Sequence, residues 1–152
     1  MRCRDSQGGF TLVELMVVVL VIAILIAVAI PTFLGARTRA QDRTAQANLV
    51  TATKAQSSLA ADRDSFTDIV ADLQAEEPSL DWSGIDDEDV HVVVGDVVPG
   101  DNRQVLLYTR SNSATWYGVR IVRLGVQAGR YTCEGPAATD VDDMADCAGR
   151  TW

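Results

Sequence analysis

An uninterrupted apolar segment near the N-terminus constrains this chain more than any other feature. Residues 10–30 read FTLVELMVVVLVIAILIAVAI and contain one charged side chain, Glu14. A helix of this length spans roughly 30 Å at about 1.5 Å per residue, which matches the hydrocarbon core of a bilayer. Arg2 and Arg4 precede the segment, and positive flanks tend to stay in the cytoplasm. We therefore expect one membrane-spanning helix with the N-terminus inside and the rest of the chain outside.

A secretory signal peptide and a simple membrane anchor are two alternatives for this segment. The apolar core of a signal peptide has about 7–15 residues and is followed by a small-residue cleavage site. Here the apolar run is longer and continues into Pro31, Thr32 and Phe33. Neither alternative explains Glu14, because a carboxylate in a membrane span costs on the order of a few kcal/mol unless it is paired or near the interface. Glu14 either reaches water at the interface or binds a cation from another chain.

The start of the segment resembles the processing motif of type IV prepilins. Residues 9–15, GFTLVEL, follow a short basic leader and precede the apolar run. In that family a prepilin peptidase cuts after the glycine, and the new N-terminal residue, often phenylalanine, is N-methylated. The resemblance implies that residues 1–9 are a leader peptide, that Gly9 precedes the cut, and that Phe10 becomes the methylated first residue.

The same resemblance gives roles to Glu14 and Pro31. Glu14 falls where the family holds a glutamate that pairs with the N-terminal amine of a neighbouring subunit during filament assembly. In a low-dielectric setting such a pair selects the axial register more than it adds stability. Pro31 falls where these pilins commonly place a proline, and a proline inside a helix kinks or loosens it.

The residues after Pro31 continue the helical pattern and then change character. Residues 32–61 are rich in alanine, and their apolar side chains recur at helical spacing. Residues 62–89 are strongly acidic and contain turn residues, which indicates a surface connection between helix and sheet with a short helix at 65–73.

Segments rich in β-branched and aromatic residues follow the acidic connection. Residues 90–98, 104–110 and 115–124 predict strands, and short connections between them favour an antiparallel sheet over residues 90–124. Residues 131–134 suggest a short fourth strand within the C-terminal region, 125–152. The predicted fold class is α+β. A long N-terminal helix, with residues 10–31 in the membrane, packs through its second half on a sheet of three to four strands. This sheet belongs to an extracytoplasmic head of residues 32–152.

Two cysteines enclose a loop near the C-terminus. Outside the cytoplasm Cys133 and Cys147 are free to oxidise, and the pattern resembles the disulfide-bounded loop of many type IV pilins. The resemblance implies a Cys133–Cys147 bond, and Cys3 would leave with the leader. No cofactor is expected. Calcium is the one candidate ion, although the loop lacks the glycine and distal glutamate of an EF-hand. Its candidate ligands are the four aspartates of the loop, Asp140, Asp142, Asp143 and Asp146.

The charge distribution excludes several function classes. The formal net charge of −8 argues against nucleic-acid binding by this subunit. The single histidine, His91, leaves too few parts for a histidine-based triad or a zinc site. Acids concentrate before residue 102 and bases in residues 102–131. Either these charges pair within the chain, or the acidic connection of one subunit meets the basic strands of its neighbour.

These features predict a structural subunit of a type IV pilus filament rather than an enzyme. The expected partners are further copies of the chain, prepilin peptidase, the pilus assembly platform with its ATPase, and the membrane before assembly. The precursor is expected in the cytoplasmic membrane with its head outside, and the mature chain in an extracellular pilus serving adhesion, motility or DNA uptake. Two alternatives stay open: a minor pilin or type II secretion-like pseudopilin, and a membrane-anchored enzyme or receptor head.

Overall fold

The computed structural model of the chain describes residues 9–96 and 100–147. The chain divides into two compact units, one ending at Arg37 and the other beginning at Thr38. The first element, the helix α1 (Leu12–Arg63), contributes residues to both units.

The first unit contains the apolar part of α1. Among the described residues, α1 is the one helix long and apolar enough to cross a membrane, with a mean hydropathy of 3.2 over its most apolar window and none of that window buried. The helix continues through Pro31, which has no amide hydrogen to donate to the preceding turn. The Thr32 hydroxyl donates to the Ala29 carbonyl at 2.8 Å in the same region. The kink predicted at Pro31 stays a prediction.

The second unit contains a four-stranded antiparallel sheet with strand order β1-β2-β3-β4. Each strand pairs with the next one along the chain, so the sheet is a meander. A short helix lies between α1 and the sheet, and a 3₁₀ turn (Ala138–Asp140) follows it. The bounds are α2 Val70–Glu76, β1 His91–Gly95, β2 Gln104–Arg110, β3 Trp116–Val122 and β4 Gly129–Gly135.

The predicted α+β architecture is confirmed, with differences at element ends. The fourth strand is longer than 131–134, and β1 is shorter than 90–98, of which residues 97–98 lie outside the described part of the chain. The predicted helix at 65–73 was wrong over its first half, because α2 begins only at Val70. Residues 66 and 67 are instead held by other elements: the Phe66 amide donates to the Asn102 carbonyl at 2.9 Å, and Thr67 bonds to the Gln56 side chain.

One face of the sheet packs against the second half of α1. The helix contributes buried small and aliphatic side chains such as Ala45, Leu49 and Ala52, and the sheet contributes Val105 and Val119. The connection between helix and sheet adds further buried side chains. They are Phe66, Leu73, Leu80 and Trp82. Alanine on the packed face of α1 lets the helix approach the sheet closely, which supports dense packing.

The opposite face of the sheet is covered by the C-terminal loop. Leu106 and Trp116 from the strands form a second buried cluster with Cys133, Val141 and Cys147. Because both faces are covered, consecutive β2 residues are buried rather than alternating between core and solvent. The sheet is therefore the middle layer of three.

Polar contacts fix the second half of α1 to the rest of the head. The Ser113 hydroxyl donates to the carboxylate of Asp42, and the Arg123 guanidinium donates to the Ala60 carbonyl. The latter contact satisfies one of the carbonyls that the last turn of a helix leaves without an intrahelical partner. Together these contacts tie the helix to the β2–β3 turn and to the segment that follows β3.

Candidate processing and assembly site

The start of α1 is shaped by a reciprocal pair of hydrogen bonds between Thr11 and Glu14. The Thr11 hydroxyl oxygen accepts the Glu14 amide hydrogen at 3.2 Å. In return, Oε2 of Glu14 accepts from the Thr11 amide at 2.9 Å and from the Thr11 hydroxyl at 2.8 Å. This arrangement is a capping box, which satisfies amide hydrogens that the first turn of a helix cannot bond internally. Thr11 was not among the predicted functional residues, although its Thr-x-x-Glu spacing predicts this cap.

The cap places Gly9 and Phe10 outside the helix. Both residues are exposed and belong to no regular element. An ideal Cβ built on Gly9 would have no heavy atom within 4 Å, so the space around this backbone is open. The predicted cleavage bond between Gly9 and Phe10 therefore lies two residues before the first residue of α1, in accessible backbone.

Glu14 keeps one carboxylate oxygen available. Both hydrogen bonds from Thr11 end on Oε2, and within residues 9–96 and 100–147 no hydrogen bond is made to Oε1. The first turn of a helix carries partial positive charge, which favours an ionised carboxylate there. Oε1 is thus free to accept a cation while Oε2 continues to cap the helix.

The sequence-predicted disulfide is present. Cys133 and Cys147 are bonded, 14 residues apart in sequence, and both are fully buried. The bond lies over Gly118 of the neighbouring strand: a Cβ at Gly118 would approach Cys133 Sγ to 2.6 Å and Cys147 Sγ to 3.2 Å. Glycine is needed at this strand position because the disulfide occupies the space of a side chain.

Most of the candidate calcium ligands accept hydrogen bonds from their own C-terminal loop. Three of them accept backbone amides of their own loop: Asp140 from Ala137 at 2.9 Å, Asp146 from Asp143 at 3.1 Å, and Asp143 from Ala145 at 3.0 Å. Over the part of the chain that the structure describes, no group of three or more histidine, cysteine, aspartate or glutamate side chains is placed to hold a metal. Calcium binding by these aspartates stays a prediction.

Part of the segregated charge is paired within the head. Arg103 lies 2.8 Å from Asp64, and Arg110 lies 2.8 Å from Asp87. Arg63 pairs with Asp72 and lowers the pKa of that carboxyl below its ordinary value. Arg63, Arg103 and Arg110 therefore bind acids of the connection between α1 and the sheet, which is what the intramolecular alternative predicts for these charges.

The single histidine has a structural environment. The His91 ring stacks on Tyr108 with ring centres 4.7 Å apart, and its Nε2 lies 3.2 Å from the Asp86 carbonyl. Trp116 completes the aromatic group at a centre distance of 6.0 Å from the His91 ring. These contacts join the start of β1 to β2 and β3.

Comparison with known protein families identifies a conserved motif in the N-terminal region. The model of the prokaryotic N-terminal methylation motif matches residues 4–30. The match covers Gly9, Phe10 and Glu14 and continues through the apolar part of α1.

Similarity to characterised proteins extends beyond that motif. The chain is 33% identical over 112 residues to the type IV wide pilus major component PilA4 of Thermus thermophilus, covering 74% of this chain and 80% of that protein. It is 40% identical over 72 residues to the type IV major pilin protein PilA of Myxococcus xanthus, covering 47% of this chain and 33% of that protein. It is also 38% identical over 50 residues to the type II secretion system core protein G of Escherichia coli, covering 33% of this chain and 34% of that protein. No solved structure matches the chain significantly.

The similarity to the Thermus protein spans most of both chains, and at 112 residues it is too long for the apolar segment alone and extends into the head. The matching regions of the Myxococcus and Escherichia proteins amount to about a third of each. A methylation motif, an exposed apolar helix, an antiparallel sheet and a C-terminal disulfide occur together in one chain. The protein belongs to the type IV pilin family, whose members are structural subunits.

Proposed function

We propose that this chain is a structural subunit of a type IV pilus filament, cleaved after Gly9 and polymerised through α1. One observation carries the proposal. The methylation motif coincides with a capped helix start, in which the cleavage bond is accessible and Oε1 of Glu14 accepts no hydrogen bond from a described residue. The exposed apolar helix that follows needs either lipid or other helices around it. A bilayer would supply this surrounding before assembly, and neighbouring subunits would supply it afterwards.

The processing step is the hydrolysis of one peptide bond. Water adds across the bond between Gly9 and Phe10, leaving a carboxylate on Gly9 and a free amine on Phe10. A methyl donor then transfers its methyl group to the nitrogen of that amine, and the nitrogen releases one proton. Prepilin peptidase is the proposed enzyme, and the accessible backbone before Thr11 fits an extended substrate.

The new amine explains why a carboxylate is needed within the apolar segment. A protonated Phe10 amine would lie at the positive end of its own helix dipole, where a cation is unfavourable. Oε1 of Glu14 from an adjacent subunit is a suitable partner, because Oε2 remains bound to Thr11. The pair would fix how far one subunit is displaced along the filament relative to the next.

Burial of the apolar helices would hold the filament together. Apolar surface that is removed from water stabilises an assembly by about 25 cal/mol per Å². The N-terminal half of α1 exposes large side chains along its length, including Leu20, Leu25 and Phe33.

We propose that an assembly platform with its ATPase extracts the helix from the cytoplasmic membrane, with the head already outside.

The test is the intact mass and abundance of the chain in sheared surface filaments and in the membrane fraction. We expect a dominant filament protein that starts at Phe10. It should be heavier by one CH2 unit, because a methyl group replaces a hydrogen of the amine, and lighter by the two hydrogens lost in the disulfide. A filament protein that retains residues 1–9 in cells with active prepilin peptidase would contradict the proposal.

A Glu14→Gln variant tests the assembly role separately. It keeps an oxygen that can accept the Thr11 bonds but removes the charge, so processing should continue while filament yield falls. Glu134→Gln is the matched control, because Glu134 is an exposed carboxylate on β4. Normal filament yield from Glu14→Gln would exclude the proposed charge pair.

A minor pilin or secretion pseudopilin is the second candidate. The similarity to the type II secretion system core protein G over 50 residues favours it. Its distinguishing result is a chain that starts at methylated Phe10 but is scarce in surface filaments or retained in the membrane.

A further inference from the structure

The second unit of the chain, residues 38–152, carries a large excess of negative charge. It contains 19 aspartates and glutamates but ten arginines and lysines, so nine negative charges are in excess at neutral pH. Residues 10–37 add one charge of each sign, Glu14 and Arg37. The net charge of a subunit without its predicted leader therefore belongs to the head, and every copy carries the same sign.

Ion pairs within the head do not remove this excess. Among the residues that the structure describes, four arginines bind three carboxylates, because Arg103 and Arg123 share Asp64. These pairs consume more bases than acids, so the charge that remains is more one-sided than the composition. The other two pairs join Arg63 to Asp72 and Arg110 to Asp87.

The charge that remains available to a partner is mainly negative. In the described part of the second unit, four exposed bases form no ion pair, namely Arg39, Arg43, Lys54 and Arg130. Nine exposed carboxylates of the same part form none either. They are Asp62, Asp68, Glu76, Asp81, Asp86, Glu88, Glu134, Asp142 and Asp143. A second copy of the head would thus meet a surface on which unpaired acids outnumber unpaired bases.

These carboxylates do not form one patch. Six of them lie in the connection that leads into β1, at one edge of the sheet. Glu134 lies on β4, the other edge, and Asp142 and Asp143 belong to the loop that covers the face opposite α1. Negative charge spread in this way exceeds what the four unpaired bases of a neighbouring head could neutralise.

Several further acids are held in the ionised form by the fold. Hydrogen bonds from the amides of Gly100 and Asn102 lower the pKa of Asp96. Donors led by the Ser83 hydroxyl lower the pKa of Asp89. Protonation of these groups therefore does not relieve the repulsion when a second head approaches at neutral pH.

The range of this repulsion depends on salt. The Debye length is about 30 Å at 0.01 M ionic strength and about 8 Å at 0.15 M. A domain of about 100 residues has a radius of gyration of about 13 Å. At low salt, adjacent heads therefore feel the whole net charge of one another, and such a charge keeps proteins apart. At physiological salt they feel mainly the charges close to their contact.

We propose that electrostatic repulsion between heads limits the assembly of this subunit, so that its filaments are stable only where salt screens the heads. The apolar part of α1 supplies the attraction, and the head sets the ionic condition under which that attraction is sufficient. The inference rests on the proposed filament function and adds its regulation by ionic strength.

The sign of the salt effect separates this inference from charge pairing between subunits. If the acidic connection of one subunit met basic strands of the next, salt would screen an attraction and weaken the filament. Under repulsion between heads, salt screens the unfavourable contact and strengthens the filament.

Sedimentation of sheared filaments tests the sign. Filaments of the full processed chain are dialysed into NaCl at about 0.01 M and about 0.15 M, and the subunit left in the supernatant is measured. We expect on the order of tenfold more released subunit at the lower salt. The near-UV circular dichroism of the buried Trp82 and Trp116 should be equal in both solutions, which excludes unfolding of the head as the cause. Equal release at both salt concentrations, or greater release at the higher one, would overturn the inference.

A matched pair of charge variants tests the cause. The first variant neutralises three exposed acids, Asp68→Asn, Glu76→Gln and Glu88→Gln, and should release less subunit than wild type at about 0.01 M NaCl. The second neutralises three exposed bases, Arg39→Gln, Lys54→Gln and Arg130→Gln, and should release more. All six side chains lack ion pairs in the described chain, so neither variant breaks a contact of the head. Charge pairing between subunits predicts greater release from both variants, and that result would contradict repulsion.

The outcomes also separate this inference from the proposed function. Filaments of processed subunits whose release does not fall with salt would overturn the repulsion and leave the filament function standing. A wild-type chain that is absent from surface filaments and keeps residues 1–9 would overturn both.

Discussion

The hydroxyl of Thr11 bonds to both the amide and the carboxylate of Glu14. Loss of such a cap costs about 1 kcal/mol of helix stability. In Thr11→Val we therefore expect the Glu14 amide hydrogen to exchange about fivefold faster, measured by hydrogen exchange on the full chain in detergent. Thr11→Ser keeps a hydroxyl and should exchange as wild type does. Equal exchange in the valine and serine variants would show that the hydroxyl does not hold the helix start.

Gly118 lies under the disulfide, where the sequence gives no sign of crowding. A Cβ there would approach the two sulfurs of Cys133 and Cys147 to 2.6 and 3.2 Å. Gly118→Ala should lower the free energy of unfolding by about 1–3 kcal/mol, as overpacking in a dense core does. Chemical denaturation of the full chain measures the change.

Gly95→Ala is the matched strand control for Gly118→Ala. A Cβ at Gly95 would meet the end of Met144 at 2.9 Å and the Gln104 side chain at 3.1 Å. The closest of these atoms is the end of the flexible Met144 side chain, which can rotate away, and the Gln104 atoms at 3.1 and 3.2 Å need to shift by only a few tenths of an ångström, so the cost should be smaller. A Gly95→Ala variant less stable than Gly118→Ala would contradict this account of the disulfide.

These residues show which functional and structural roles can be predicted from the sequence and which cannot. Gly9, Phe10 and Glu14 are predictable as processing and assembly residues because the motif is local and its spacing is specific. The pairing of Thr11 with Glu14 is also local, and its spacing alone would predict it. Gly118 is not predictable, because its requirement comes from a loop that folds onto it from more than ten residues away in sequence.

Among the elements, the strands and α1 are predictable and α2 is less so. Helical periodicity and β-branched runs arise from side chains that each element carries itself. The start of α2 is set by contacts outside the element. Gln56 is fully buried in α1, and its side-chain amide donates to the Thr67 carbonyl at 2.6 Å and accepts the Thr67 amide at 3.3 Å. This exchange holds residue 67 outside the helix and delays α2 to Val70.

The segment between α2 and β1 depends on the ionised form of Asp89. The Ser83 hydroxyl and the Asp86 and Ile85 amides donate to this carboxylate and lower its pKa, against the opposing effect of burial. Since the pKa is lower in the folded chain than the value of about 3.9 expected when unfolded, ionised Asp89 stabilises the fold. Its contribution is fully present above about pH 4 and is lost as pH falls through the folded pKa.

Asp89→Asn removes that contribution at neutral pH. We expect a lower urea midpoint than wild type at pH 7, and a difference that narrows as the pH falls below about 4, because wild type then loses the same interaction. Asp68→Asn is the control, since Asp68 is an exposed carboxylate in the same connection. A difference between Asp89→Asn and wild type that is constant from pH 7 to pH 3 would contradict the linkage.

The head consists of three layers, and the position of the third layer, the C-terminal loop, is not predictable from the sequence. Two cysteines near the C-terminus indicate a bonded loop, but they do not say which surface the loop lies on. The structure places Val141 and the disulfide on the sheet face opposite α1, where Leu106 and Trp116 would otherwise be exposed. The loop therefore completes a second core, and the disulfide is part of that core rather than an outer staple.

Removal of the disulfide should consequently weaken the head in two ways. A bond that closes a loop of this length contributes about 3 kcal/mol by restricting the unfolded chain, and its release also frees the loop to leave the sheet. The double variant Cys133→Ser with Cys147→Ser should lose about 3 kcal/mol of unfolding free energy or more, measured by denaturation of the full chain in detergent. It should also bind a hydrophobic dye, because departure of the loop uncovers Leu106 and Trp116. Cys3→Ser is the control and should match wild type in both measurements, since the bond joins the other two cysteines. A double variant with wild-type stability and no dye binding would show that the loop stays on the sheet without its bond.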